Sequence, residues 1–268
     1  MSKAILLHID GCRVDTLQAA NTKNIYKLIE SGAWTLNAQT DTPPLTLPVH
    51  FSIFTSMHSG NHGVLTNTAT PRACPSLTGI MEWLKLHGKT TAMYFNWEPL
   101  KALSPPDYLD SSMYLNTSMN RDGDMKVAEA AARDLLENKI DFSFIYLGCL
   151  DEIGHSTGFG SDEYRASLER ADHAVGHLLR SLEKAGVLQE YTILFESDHG
   201  GIDHDHAETI SEVMTIPWVI NGPAVRPGEL PHDRPVTVID TAPTLCHCLG
   251  IQSPPNWKGR PVLEAFTT

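Results

Sequence analysis

Short apolar runs alternate with amphipathic helical patterns along most of the chain. The apolar runs predict buried strands over residues 4–9, 90–95, 142–149, 191–196 and 216–220. The helical patterns predict helices over residues 24–31, 49–56, 77–86, 124–138, 161–185 and 241–249. Buried strands separated by helices predict an α/β fold with a mostly parallel central sheet and helices on both faces.

A chain of 268 residues is long enough for one large domain, and we predict a single domain over residues 1–268. Two stretches interrupt the regular alternation. Residues 96–122 are rich in Pro, Ser, Asn and Tyr, which predicts an excursion from the sheet or a small cap. Residues 200–214 are polar and loop-like, and they carry two histidines.

The formal net charge of -12 argues against a chain that binds nucleic acid or an anionic membrane unaided. No stretch approaches the roughly twenty apolar residues of a membrane span, and residues 1–9 do not resemble a secretory signal. The five cysteines are scattered and odd in number, so we expect reduced thiols and a cytoplasmic location. A homo-oligomer is compatible with all of these features.

Acidic side chains follow three of the predicted strands, at Asp10, Asp151 and Asp198. In open α/β sheets, ligands bind beyond the carboxyl ends of the strands, so residues far apart in sequence converge there. Histidines accompany two of these aspartates, at His155 and His199. A single aspartate after a strand is often only a helix cap, but the same pattern at three strand ends predicts a metal site.

Two further histidines, His204 and His206, lie in the polar loop that follows. They compete for the place of a last metal ligand. Aspartate and histidine together suit zinc, with manganese or iron as alternatives.

Thr46 precedes Pro48 at the predicted start of an apolar helix. The amino terminus of a helix attracts phosphate through its N–H groups and its dipole. A threonine hydroxyl becomes a useful nucleophile when a metal ion ionises it. From position alone, Thr46 is equally well explained as a nucleophile or as a helix cap.

Six segments in one order resemble the alkaline phosphatase superfamily, and most closely its type I phosphodiesterase/nucleotide pyrophosphatase branch. They are IDGCRVD at 9–15, LTLPVH at 45–50, HGVLTN at 62–67, DEIGH at 151–155, SDHGG at 197–201 and MTIPW at 214–218, with His206 ahead of the last. The resemblance covers most of the chain. It implies an alkaline phosphatase-like fold and a hydrolase of phosphate esters.

The resemblance also implies a division of labour around two divalent ions. One ion would be held by Asp151, His155 and His206. The other would be held by Asp10, Asp198, His199 and the Thr46 oxygen. Asn67 and the Thr46 backbone N–H would bind a phosphate oxygen, while Thr46 attacks phosphorus to give a phosphothreonine that water hydrolyses. The resemblance favours His206 over His204 on its spacing.

The implied activity is that of a phosphodiesterase or nucleotide pyrophosphatase acting on a small phosphate ester or nucleotide. A phosphomonoesterase or phosphonate hydrolase on the same site is the alternative, and a catalytically inactive metal-binding module is less favoured. Sulfatases of the superfamily carry a C/S-x-P-x-R motif, whereas this chain has TLPVH at 46–50. We expect His62 to be a turn residue and His50 to pack beside the helix.

Overall fold

The structure, a computed structural model, describes residues 3–68, 70–74 and 76–267. Its strands are β1 (Lys3–Ile9), β2 (Ala33–Gln39), β3 (Thr91–Phe95), β4 (Ser111–Tyr114), β5 (Phe142–Leu147), β6 (Tyr191–Glu196), β7 (Thr215–Asn221) and β8 (Gly228–Glu229). They form one sheet in the order β4-β3-β5-β1-β6-β7-β2-β8. All neighbours are parallel except that β7 runs antiparallel to both β6 and β2. The predicted mostly parallel α/β sheet is confirmed.

Helices cover both faces of this sheet. They are α1 (Val14–Ala19), α2 (Lys23–Ser31), α3 (Thr46–Thr55), α4 (Ser59–His62), α5 (Ile80–Leu86), α6 (Gly123–Glu137), α7 (Cys149–Thr157), α8 (Asp162–Lys184), α9 (Ser211–Met214) and α10 (Thr241–Cys248). Side chains of β1 alternate between two cores, because successive residues of a strand point to opposite faces. Ala4 and Leu6 pack with α3, α5 and α10, whereas Ile5, Leu7 and Ile9 pack with α2, α6 and α8.

The predicted pattern differs from the structure around β5 and at β2. The strand predicted over residues 142–149 ends at Leu147, and Cys149 begins α7 instead. The buried positions Leu150 and Gly154 of α7 are four residues apart, which is helical spacing. Strand β2 has no predicted counterpart, because a register shift between Thr35 and Ala38 breaks the apolar alternation that would reveal it.

Residues 96–122, predicted as an excursion or small cap, extend the edge of the sheet. They form two short 3-10 turns (Glu98–Leu103 and Pro106–Tyr108) and the edge strand β4, which pairs with β3 in parallel. Among the helices of the described residues, none is long and apolar enough to cross a membrane.

Candidate active site

The three aspartates meet at one edge because β5, β1 and β6 are neighbours in the sheet. Asp10 follows directly on β1, and Asp198 comes two residues after β6 ends. Asp151 lies in the first turn of α7, which starts just after β5, and His155 follows it by one helical turn. Chain positions that are far apart in the sequence therefore share one site.

Gly11 allows the end of β1 to lie close to Asp151. Its φ of +66° lies in the left-handed region, and a Cβ there would stand 2.8 Å from Asp151 Oδ1. Its backbone N–H donates to Asp198 Oδ1 at 3.1 Å. A larger residue would be strained in this turn and would press on a carboxylate of the site.

One group of side chains, the buried group, consists of Asp10, Asp198 and His199. The Nε2 atom of His199 lies 3.4 Å from Asp10 Oδ1 and 3.3 Å from Asp198 Oδ2. The Thr46 hydroxyl lies 3.4 Å from the same nitrogen. Three atoms that could bind a metal ion, and a hydroxyl group, therefore lie close together within the core.

A second group, the open group, consists of Asp151, His155 and His206. The Nε2 atoms of His155 and His206 lie 3.3 Å and 3.9 Å from the two Asp151 carboxylate oxygens. The His155 side chain is 39% exposed, so this group reaches the surface. The stacked rings of His206 and His199, with centroids 3.7 Å apart, join the two groups.

In all three histidines the Nδ1 atom points away from the carboxylates. Each Nδ1–H group is placed to donate to a backbone carbonyl oxygen at 2.8 Å: that of His204 for His155, of Gly200 for His199 and of Pro44 for His206. With Nδ1 protonated in this way, Nε2 of a neutral ring carries a lone pair. A backbone acceptor on the outer nitrogen is the usual arrangement behind metal-binding histidines.

The carboxylates show the complementary feature. Asp10 Oδ1, Asp151 Oδ1 and Asp198 Oδ2 are buried and accept no hydrogen bond from any residue that the structure describes. Buried carboxylates of this kind need a compensating charge. Lone pairs on nitrogen and unpartnered carboxylate oxygens form a donor set that fits divalent cations such as zinc.

Burial and mutual repulsion also govern the protonation of the carboxylates. Burial, together with the charges of Asp198 and Asp151, raises the pKa of Asp10 well above its usual value. Burial would also raise the pKa of Asp198, but His199 and His8 outweigh it and hold that pKa low. Neighbouring histidines therefore favour the charged form of Asp198, whereas the charged form of Asp10 is disfavoured.

Thr46 and Asn67 lie at the amino terminus of α3. Thr46 is the first residue of the helix and is buried. The backbone N–H of Leu47 donates to Asn67 Oδ1 at 2.8 Å, and this bond fixes the side-chain amide beside the helix end. The Asn67 Nδ2 group donates to none of the described residues, and the residue is exposed.

His204, the competing residue of the polar loop, has a different contact. Its Nδ1 atom lies 3.0 Å from the backbone carbonyl oxygen of His155, while His155 Nδ1 lies 2.8 Å from the carbonyl oxygen of His204. The ring of each histidine therefore bonds to the backbone carbonyl of the other. The structure brings His206, and not His204, together with Asp151.

Sequence reasoning missed a buried layer behind the site. His8 Nε2 lies 3.3 Å from Asp198 Oδ1, and the Tyr146 hydroxyl donates to Asp10 Oδ2. His50, expected to pack beside the helix, places its Nδ1 atom 2.7 Å from the Thr46 carbonyl oxygen. Pairing of β1 with β5 puts His8 opposite Tyr146, a register that no local spacing reveals.

Comparison with known proteins assigns this arrangement to a family. The family model of type I phosphodiesterase/nucleotide pyrophosphatase matches residues 4–219. The chain belongs to this family. The relationship predicted from the six segments is thereby confirmed.

Two curated relatives illustrate the range of the similarity. Ectonucleotide pyrophosphatase/phosphodiesterase family member 1 of Rattus norvegicus is 26% identical over 218 residues, which are 73% of this chain and 24% of that protein. Arylsulfatase K of Xenopus laevis is 31% identical over 110 residues, which are 38% of this chain and 20% of that protein. The chain therefore matches only between a fifth and a quarter of the length of these relatives.

A solved structure shows the same fold over the whole chain. Murine ectonucleotide pyrophosphatase/phosphodiesterase 5, in an inactive threonine-to-alanine variant complexed with AMP, superposes with a TM-score of 0.81. The two chains are 15% identical, and the superposition covers 100% of each.

Proposed function

We propose that the chain is a metal-dependent phosphodiesterase or nucleotide pyrophosphatase with Thr46 as its nucleophile. The proposal assigns one divalent ion to Asp151, His155 and His206. It assigns a second ion to Asp10, Asp198, His199 and the Thr46 hydroxyl. Zinc is the preferred metal, with manganese or iron as alternatives.

One observation carries this proposal. Three carboxylate oxygens that accept no hydrogen bond from the described residues lie in two compact groups with three histidines, and the Thr46 hydroxyl lies beside one of these groups. A helix cap would need none of these neighbours. The ions would supply positive charge that lowers the pKa of the Thr46 hydroxyl and neutralises charge on the attacking and leaving oxygens.

The residues around Thr46 orient the substrate for in-line attack. The Thr46 oxygen forms a bond to phosphorus as the bond to the leaving oxygen breaks, and water then hydrolyses the phosphothreonine. The Asn67 amide and the Thr46 backbone N–H would donate to a non-bridging oxygen, whose charge they stabilise. The contact from Leu47 N–H to Asn67 Oδ1 directs the Asn67 NH₂ group toward that position.

Arg13 supports a preference for diesters over monoesters. It is the cation nearest the first aspartate in sequence, but its guanidinium pairs with both Asp15 oxygens and donates to the Gly201 carbonyl. A monoester dianion gains more from an additional cationic side chain than a diester monoanion does. Because the Arg13 guanidinium is already paired with Asp15 and Gly201, it does not provide a free cationic group for a monoester dianion.

The comparisons supply further support for a nucleotide substrate. The murine protein was solved with AMP as a threonine-to-alanine variant described as inactive. Thr46 is the threonine at the start of α3 here, so we extend a nucleotide substrate and a threonine nucleophile to this chain. We also propose a cytoplasmic location, since all five cysteines are free thiols.

A metal analysis combined with a substrate panel tests this function. We expect about two transition-metal ions per chain, and faster hydrolysis of an aryl phosphate diester than of the matching monoester, phosphonate or aryl sulfate. Exhaustive chelation should abolish turnover, and zinc should restore it. Full activity in metal-free protein would contradict the proposal, and a monoester preference would replace the diesterase assignment.

A further inference from the structure

A buried chain of hydrogen bonds runs behind the loop that carries Asn67. Asp41 Oδ2 accepts from the Ser52 hydroxyl at 2.7 Å, and Ser52 Oγ lies 3.0 Å from His62 Nε2. The Val64 backbone N–H donates to His62 Nδ1 at 3.1 Å. Ser52, His62 and Val64 are all almost completely buried. None of these residues belongs to either proposed metal group.

The groups at the two ends of this series, the Val64 N–H and the Asp41 carboxylate, fix the direction of every hydrogen bond in it. The Val64 N–H can only donate, so His62 Nδ1 must be the accepting nitrogen of a neutral ring. The other ring nitrogen then carries the proton and donates to Ser52 Oγ. The Ser52 hydroxyl lies closer to the Asp41 carboxylate, at 2.7 Å, than to the Pro48 carbonyl, at 3.3 Å.

The protonation of the two ionisable members agrees with this direction. Burial would raise the pKa of Asp41, but hydrogen bonds from Ser52 and Ser59 outweigh it and lower the pKa, which keeps the carboxylate charged. Burial lowers the pKa of His62 to about 4, so the ring is neutral at pH 7.

The loop from Gly63 to Asn67 is therefore fastened to α3 at two places. His62 and Val64 connect it to Ser52 in the middle of the helix, and Asn67 connects it to Leu47 at the start. A loop held at both ends of a short segment has few ways to move. These contacts hold the exposed Asn67 amide beside the amino terminus of α3.

We propose that His62 is a positioning residue, which holds Asn67 in place by accepting the Val64 N–H while it donates to Ser52. The inference uses the proposed function only in taking Asn67 as a phosphate-binding side chain. Small displacements of a group that stabilises charge in a transition state are costly, up to about 10²-fold for 1 Å.

Two substitutions of the ring separate its two hydrogen bonds. His62→Asn keeps an acceptor near the position of Nδ1, whereas His62→Gln keeps a donor near the position of Nε2. We expect His62→Gln to lower kcat for a phosphate diester roughly tenfold and His62→Asn to lower it less. Ser52→Ala interrupts the same chain with a small loss of volume, and it serves if either ring variant fails to fold.

His58→Gln is the matched control, because the exposed His58 ring contacts the other Asp41 oxygen, Oδ1, at 3.0 Å. This substitution changes a histidine that contacts the same carboxylate, but it leaves the hydrogen bonds from Asp41 through Ser52 and His62 to Val64 in place. We expect its kcat to stay within about twofold of the unaltered protein, in line with a weak surface contact.

A double-substitution cycle with Asn67→Ala distinguishes positioning from general destabilisation. If His62 acts through Asn67, His62→Gln should cause no further loss of kcat in the Asn67→Ala background. Hydrogen exchange of the Val64 and Leu47 amides provides a readout without turnover, and His62→Gln should accelerate both about tenfold. An equal loss of kcat in both backgrounds, or unchanged exchange at both amides, would overturn the proposal. If the unaltered protein hydrolyses no diester, the proposed function fails while the exchange experiment still decides the role of His62.

Discussion

The buried group and the open group contain similar ligand atoms but differ in how the fold holds them. Asp10, Asp198 and His199 are almost completely buried and follow two adjacent strands, β1 and β6. In the open group, Asp151 and His155 lie on α7, and His206 comes from a loop. The difference indicates that the buried group is part of the core, whereas the open group reaches solvent through His155.

Thr46 belongs with the buried group, since its hydroxyl lies beside His199. Electrostatic stabilisation is most effective where charges are preorganised and water is excluded. We therefore assign preparation of the nucleophile to the buried group. In the proposed mechanism the open group, whose His155 side chain is 39% exposed, would be the side from which a leaving group departs and water enters.

Replacement of the proposed nucleophile should have the largest effect. Thr46→Ala should lower kcat on the order of 10³-fold or more while both metals remain bound, since only the attacking oxygen is lost. Thr46→Ser retains the hydroxyl and should keep part of the activity. Steady-state kinetics and metal content measured on the same samples check this result.

The stereochemistry at phosphorus provides an independent control for Thr46. Two in-line displacements should hydrolyse a chiral phosphorothioate diester with net retention. Net inversion would mean direct attack by water, and Thr46 would then be a phosphate-binding residue at the start of the helix.

Removing one proposed ligand from each group tests the comparison directly. Asp198→Ala and His155→Ala should both lower metal occupancy and rate, with Asp198→Ala also destabilising the fold by about 1–3 kcal/mol. The reason is that Asp198 accepts the Gly11 N–H and lies against His8 inside the core. Metal analysis and urea unfolding measure the two effects. Equal destabilisation by both substitutions would remove the distinction between the groups.

The two loop histidines should differ in the same assays. His206→Ala removes a proposed ligand and a ring stacked on His199, so the rate should fall by roughly 10²-fold. His204→Ala removes only a bond to the His155 carbonyl, and its effect should stay within about threefold. The opposite ranking would transfer the ligand role to His204 and leave the other assignments unchanged.

Much of this arrangement could be predicted from the sequence because strand ends converge in a parallel sheet. Asp10, Asp151 and Asp198 follow apolar runs, and topology alone then brings them to one edge. The helix start at Thr46 was equally visible, since Pro48 marks the first turn of a helix.

Contacts made across the fold could not be predicted in this way. The Ser52–His62 contact depends on how α4 folds back on α3, and Ser52 looks like any other residue within an apolar helix. His8 likewise alternates with core residues of β1, and its proximity to Asp198 follows from the pairing of β1 with β6. The roles of such residues depend on register and packing, which a single sequence does not encode locally.

The smallest expected effect is the pH dependence that His155 contributes in the open group. Hydrogen bonding to Asp151 raises the pKa of His155 to about 9. In metal-free protein, the protonated His155 therefore stabilises the fold fully below pH 6.5, and this contribution is lost as the pH rises through about 9. Because the side chain is 39% exposed, the loss should be below about 1 kcal/mol. In metal-loaded protein His155 would be a neutral ligand if the proposed assignment holds, so the loss should disappear.

Urea unfolding of metal-stripped protein at pH 6.5 and pH 9 measures this contribution, with His155→Gln as the control that lacks the titrating ring. His206 does not interfere, because burial lowers its pKa to about 4 and it stays neutral throughout this range. The difference in unfolding free energy between the two pH values should be smaller in His155→Gln than in the unaltered chain. Identical differences would show that His155 and Asp151 are not paired in the metal-free protein, and the open group would then form only around its ion.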